Sequence, residues 1–140
     1  MSRIFWDTNL FIYLFEGSGA HAQQVATLRA RMLQRGDQLL TSTMTLGEVL
    51  VRPTKLGDAK LIAYYQKLIG GAASVISFDE KAAVLYARLR GSPSIRPPDA
   101  IQLACAGSVG VDLFITNDIR LHSQQVPGIQ FIVPLERVPI

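Results

Sequence analysis

The sequence predicts an α/β fold, with a central, mostly parallel sheet of four to five strands flanked by helices. Three observations predict it. Short strand-like stretches alternate with longer helical ones along the chain. The strand-like stretches are apolar throughout, as burial on both faces of a parallel sheet requires. A length of 140 residues suits a single domain, 1–140, able to bury a core without disulfides or a structural metal.

The elements follow in order. Arg3–Trp6 reads as a short buried strand, and Asn9–Phe15 as a helix directly after it. Ala20–Arg35 is helical, with Val25, Leu28 and Met32 on one side and Gly36 as a stop. Gln38–Ser42 is a strand, and a helix follows from about Leu46 to Arg52, ended by Pro53. Asp58–Ile69 repeats apolar residues at Leu61, Tyr64, Tyr65, Leu68 and Ile69, the spacing of a core-facing stripe. Ser74–Phe78 is β-branched and apolar, hence a strand. Asp79 caps a helix that stops at Gly91. The loop SPSIRPP leads into a helix from Pro98 to about Gly107. Leu113–Thr116 is a buried strand and Gln130–Val133 another, at an edge.

Composition narrows the class. A hydrophobic content of 49% with 18% charged residues is that of a globular chain. The uncharged runs Gly17–Leu28 and Ala100–Val111 are too short and too mixed to span a bilayer. Only three apolar residues separate Met1-Ser2-Arg3 from Asp7, which does not read as a secretory signal. Cys105, the single cysteine, has no internal partner and sits in LACA as a packing residue. These features predict a cytoplasmic protein without a membrane segment.

The run RIFWDTNLFIYLF carries one carboxylate, Asp7, among apolar residues. A buried carboxylate is costly unless paired, hydrogen-bonded or bound to a metal. Asp7 falls at the carboxyl end of the first strand, and Asp118, in FITND, just after a later one. Asp99 and Glu48 each stand in the first turn of a helix. In open α/β sheets that rim is where ligands bind. Each acid also has a plainer reading. Asp99 after Pro97-Pro98 complements a helix dipole. Thr45-Leu46-Gly47-Glu48 fits a capping box, and Asp118 fits a short cap or turn. If the fold is right, however, these readings leave unpaired negative charges close together, and a divalent cation resolves their repulsion. All-oxygen ligands favour Mg²⁺ or Mn²⁺, and such an ion suits phosphoester hydrolysis. His21 and His122 lie in polar segments and read as surface residues.

The set WDTN (6–9), Glu48, PDAIQLACA (98–106) and GVDLFITND (110–118) resembles the PIN-domain ribonucleases, most closely the VapC-type toxins of bacterial toxin–antitoxin pairs. The likeness runs nearly end to end. It implies a PIN-like three-layer sandwich and a Mg²⁺- or Mn²⁺-dependent endoribonuclease neutralised by a cognate VapB-like antitoxin. It implies Asp7, Glu48, Asp99 and Asp118 as the acidic quartet around the metal, with Thr116 and Asn9 as polar support. It also suggests a homodimer, for which the stripe Leu61–Ile69 is a candidate contact, although the same stripe serves equally as core. The chain departs from the pattern at Arg96-Pro97-Pro98, where the family more often has small or aromatic residues. Asp112 reads as a turn residue before its strand and not as a fifth ligand.

The net charge of +3 then takes on meaning. Without the four site acids, seven acidic residues face fourteen basic ones, leaving +7 for the rest of the surface. A basic exterior around an acidic pocket suits a nuclease acting on RNA. Arg52, Lys55, Arg96 and Arg120 follow motif residues and are candidates for phosphate contacts, whereas Arg29, Arg31 and Arg35 share a helix that is solvated or faces a partner. Two other classes compete. An aspartyl-phosphate phosphatase would carry a second Asp where Asn9 stands, and a receiver domain a pair of acids where Ser2-Arg3 stand. A catalytically silent PIN-like module for RNA or protein binding would be expected to have lost acids that this chain keeps.

Overall fold

The structure, a computed structural model, describes residues 1–17 and 19–140. Five strands form one parallel sheet: β1 (Arg3–Trp6), β2 (Gln38–Ser42), β3 (Ser74–Ile76), β4 (Val111–Ile115) and β5 (Ile129–Val133). Their spatial order is β3-β2-β1-β4-β5. Among the described residues six α-helices flank it: α1 (Thr8–Glu16), α2 (Gly19–Arg35), α3 (Thr43–Lys55), α4 (Ala59–Ala72), α5 (Glu80–Leu89) and α6 (Pro97–Val109).

Side-chain alternation builds two cores, one on each face. Ile4, Trp6, Leu39, Leu113 and Ile115 point into a core with α1, α2 and residues of α3 and α4. Phe5, Leu40 and Phe114 point into the other, against α5 and α6. Phe5 and Phe114 stack with ring centroids 5.0 Å apart. Cys105 lies fully buried in this second core, and burial pushes its thiol up to about 11.

Most expected elements are present, with instructive differences. Helix α3 begins at Thr43, not Leu46, because Ser42 is its N-cap and its hydroxyl accepts the Thr45 N–H. Glu48 therefore lies in the second turn and caps nothing, so the capping-box reading does not hold. Pro53 does not end this helix, which continues to Lys55 with Pro53 buried inside it. The stripe on α4 is only partly core: Ile69 is buried, while Tyr64 and Leu68 stand 56% and 36% exposed. Asp112 belongs to β4 itself, and its carboxylate accepts the Arg3 N–H at the opposite end of the sheet from the site acids.

Topology decides where a site forms. From β1 the chain builds outward through β2 to β3, then returns to place β4 and β5 on the other side of β1. The reversal falls between β1 and β4, where such folds open a crevice at the carboxyl ends of the strands. Trp6 pairs with Ile115 across it, so Asp7 and Thr116 emerge side by side.

Candidate metal centre

Asp7 ends β1 and is the N-cap of α1. Its Oδ1 accepts the Thr8 N–H (2.8 Å) and the Gln102 Nε2–H (3.2 Å), and its Oδ2 accepts the Thr116 hydroxyl (2.6 Å). Capping α1 uses only one of its oxygens. Burial nevertheless raises the Asp7 pKa above the ordinary value, the three hydrogen bonds opposing and the Glu48 charge adding to it. Desolvation outweighs the donors.

Thr116, fully buried at the end of β4, receives the Asp118 N–H on the same oxygen (3.1 Å). Asp118 caps a 3₁₀ turn, Ile119–Leu121. Asp99 stands in the first turn of α6, after Pro97 and Pro98. Its pKa is raised by burial first and then by the Asp118 and Asp7 charges, against lowering by Arg120 and Arg96. Glu48 reaches the group from α3: its Oε1 accepts the Thr8 hydroxyl at 2.8 Å. The four acids thus gather at one rim.

Arg120 serves as their counter-cation. Its Nε donates to Asp118 Oδ1 (2.9 Å), and its Nη2 bonds Asp118 Oδ2 and reaches Asp99 Oδ2 (3.4 Å). These bonds, chiefly the side-chain pair, hold Asp118 below the usual carboxylate range. Arg96, exposed at the N-cap of α6, is close enough to lower both Asp99 and Asp118. Arg52 stands apart, paired with Glu16 at 3.2 Å. Asn9 is half-buried in the first turn of α1.

The arrangement bears on whether a hard divalent ion fits. Among the described residues no three carboxylate, imidazole or thiol groups close on one point as a finished ligand shell. Mg²⁺ does not require one, since it takes one or two carboxylates and keeps several waters. The donor set is all oxygen, and a guanidinium already spans Asp99 and Asp118 where positive charge is called for. The residues fit such an ion.

Several contributors were not legible in the motifs. Gln102, Thr8, Thr45 and Ser42 form a buried polar group beneath Asp7. The only signal was a lone amide within an otherwise apolar stretch, AIQLACA. His122 is half-buried, not a free surface residue, and its Nε2 lies 2.7 Å from the Thr116 carbonyl.

Comparisons with known proteins place the fold in a family. The family model of the PIN domain matches residues 4–125. The chain belongs to the PIN domain family. Among solved structures it is similar to VapBC2 from Rickettsia felis bound to a DNA fragment from their promoter, with a TM-score of 0.70 and 15% identity over 94% of this chain and 98% of that one. It is similar also to FitAcB from Neisseria gonorrhoeae (TM-score 0.69, 18% identity, 96% and 99% covered). DNA-bound VapBC from Salmonella typhimurium gives a TM-score of 0.63 at 23% identity, with 96% and 99% covered. No curated protein matches the sequence significantly.

Proposed function

We propose that this chain is a Mg²⁺- or Mn²⁺-dependent endoribonuclease, the toxin of a VapBC-type toxin–antitoxin system. The observation that carries the reading is the gathering of Asp7, Glu48, Asp99 and Asp118 at the switch point of the sheet. In this reading Asp7 and Asp99 would hold the ion, with Glu48 and Asp118 beside them. Bound there, it would supply positive charge to the scissile phosphate and leaving oxygen and a more acidic water as nucleophile.

The chain's own residues do the rest. Thr116 donates to Asp7 Oδ2, which orients the carboxyl and favours its ionised form. Arg96 and Arg120 hold the RNA backbone beside the pocket, Arg52 extends the basic rim past Glu48, and Asn9 offers an amide to phosphate or water. The surface remaining outside the four acids carries +7, which draws a polyanion in.

The partners are a VapB-like antitoxin and a second copy of the chain. Support comes from the structural neighbours, which include toxin–antitoxin systems, and from an apolar groove of about 370 Å³ lined by Phe11, Phe15, Tyr64, Tyr65 and Leu68. No described helix is long and apolar enough to cross a membrane.

The test is direct. Pure protein incubated with total RNA should produce new ends with Mg²⁺ and none with chelator. Asp7→Asn and Asp99→Asn should each lose more than about 100-fold in cleavage while keeping the wild-type circular dichroism, since even an outer partner of a metal ligand is worth roughly 10–100-fold. Full activity in either variant would remove the reading. Binding of RNA without cleavage, independent of metal, would point instead to a silent module.

A further inference from the structure

We propose that Gln102 is a positioning residue that holds Asp7 and Glu48 in one fixed arrangement, through a buried network that a primary amide completes. This inference rests on the metal-nuclease reading and deepens it.

Gln102 is 3% exposed, on a stretch of α6 whose other buried residues before Gly107 are Ala100, Leu103, Ala104, Cys105 and Ala106. Packing alone would be met there by an apolar side chain, and burying an amide costs free energy unless all its bonds are made. They are made. Its Oε1 accepts the Ser42 hydroxyl, and its Nε2 faces Thr45 Oγ1 (2.7 Å), Thr8 Oγ1 (3.1 Å) and Asp7 Oδ1 (3.2 Å). Ser42, Thr45 and Thr8 are themselves 0%, 0% and 5% exposed.

The direction of every bond follows from the ends. The Thr8 hydroxyl donates to Glu48 Oε1. The Thr8 oxygen is then free to accept, and Thr45, 3.1 Å away, donates to it. The Thr45 oxygen in turn accepts from Gln102. At the other end Ser42 accepts the Thr45 N–H, which turns its own hydrogen toward Gln102 Oε1. That contact fixes which way the amide faces and aims Nε2 at the acids. One side chain on α6 thereby ties the end of β1, the start of α1 and the helix α3. Methionine has the volume without the donor, asparagine the amide without the reach, and glutamate would bring a third carboxylate against Asp7.

The experiment is Mn²⁺ binding by wild type, Asp7→Asn and Gln102→Met, followed by calorimetry and by the electron paramagnetic resonance spectrum of the bound ion. Gln102→Met should keep the wild-type circular dichroism, lose about 10–100-fold in Mn²⁺ affinity and broaden the spectrum of the bound ion. A packing role would leave both metal readouts unmoved. Should Gln102→Met not fold, Gln102→Asn decides on the same readouts. Mn²⁺ binding lost in Asp7→Asn but within twofold of wild type in the Gln102 variant overturns this inference alone. A wild type that binds no Mn²⁺ overturns the metal reading and this inference with it.

Discussion

Asp7 accepts three hydrogen bonds and is still harder to ionise than a free carboxyl, because burial outweighs its donors. Asp99 is raised as well, by burial and by its acidic neighbours. A folded-state pKa above the unfolded one contributes stability below the unfolded value, near pH 4, and loses it as pH rises through the folded value. Asp118 and Asp37 are shifted the other way, so their stability is lost only as pH falls below that window. With chelator present, thermal melts should therefore show wild type losing stability relative to Asp7→Asn as pH rises above about 4, and saturating Mn²⁺ should reverse the difference. Cys105 gives a second expectation at this scale. A fully buried thiol held up near 11 should resist a thiol reagent in the native protein and react on unfolding.

Among the elements, α5 and α6 depend on specific local chemistry. Asp79 caps α5 through the Ala82 N–H at 2.9 Å. Asp79→Ala should cost about 1 kcal/mol in urea denaturation. Helix α6 meets the segment before β5 at two glycines. A Cβ on Gly128, whose φ is +86°, would come 2.0 Å from the Gly107 carbonyl oxygen, and one on Gly107 would come 2.4 Å from that of Pro127. Gly128→Ala should destabilise by about 2 kcal/mol or more, through overpacking and an unfavourable backbone region, read as a lower urea midpoint. The contact matters to the site because α6 carries both Asp99 and Gln102.

For the whole molecule, the governing feature is an acidic pocket within a basic surface. RNA binding measured with the Asp7→Asn variant should weaken as salt rises, with a slope of about −0.7 per phosphate neutralised on a single strand. Adding Arg96→Ala should flatten that slope by about one such contact, whereas Arg52, already paired with Glu16, should contribute less. A slope unchanged by Arg96→Ala would move the RNA to another face.

How far the amino-acid order could be read follows from the range of the forces involved. The strands were legible from continuous apolar runs, and the cap at Asp79 from a side chain that bonds within three residues. Asp7 stood out because a carboxylate between two apolar runs has few plain explanations, whereas Glu48, Asp99 and Asp118 each had one and were joined to it by their places at strand ends and helix starts. Other features were settled by packing. Pro53 stays inside α3, Tyr64 and Leu68 remain exposed on a stripe with core-like spacing, and Arg120 turns back onto Asp99 and Asp118. Gln102 is the clearest case, since its partners lie 57 to 95 positions away. By itself the chain's order determined the parallel α/β architecture and which carboxylates needed company, because periodicity and desolvation act on each segment alone. Only the tertiary structure decided which groups keep them company, because a hydrogen bond between remote residues exists only once the sheet has set their elements side by side.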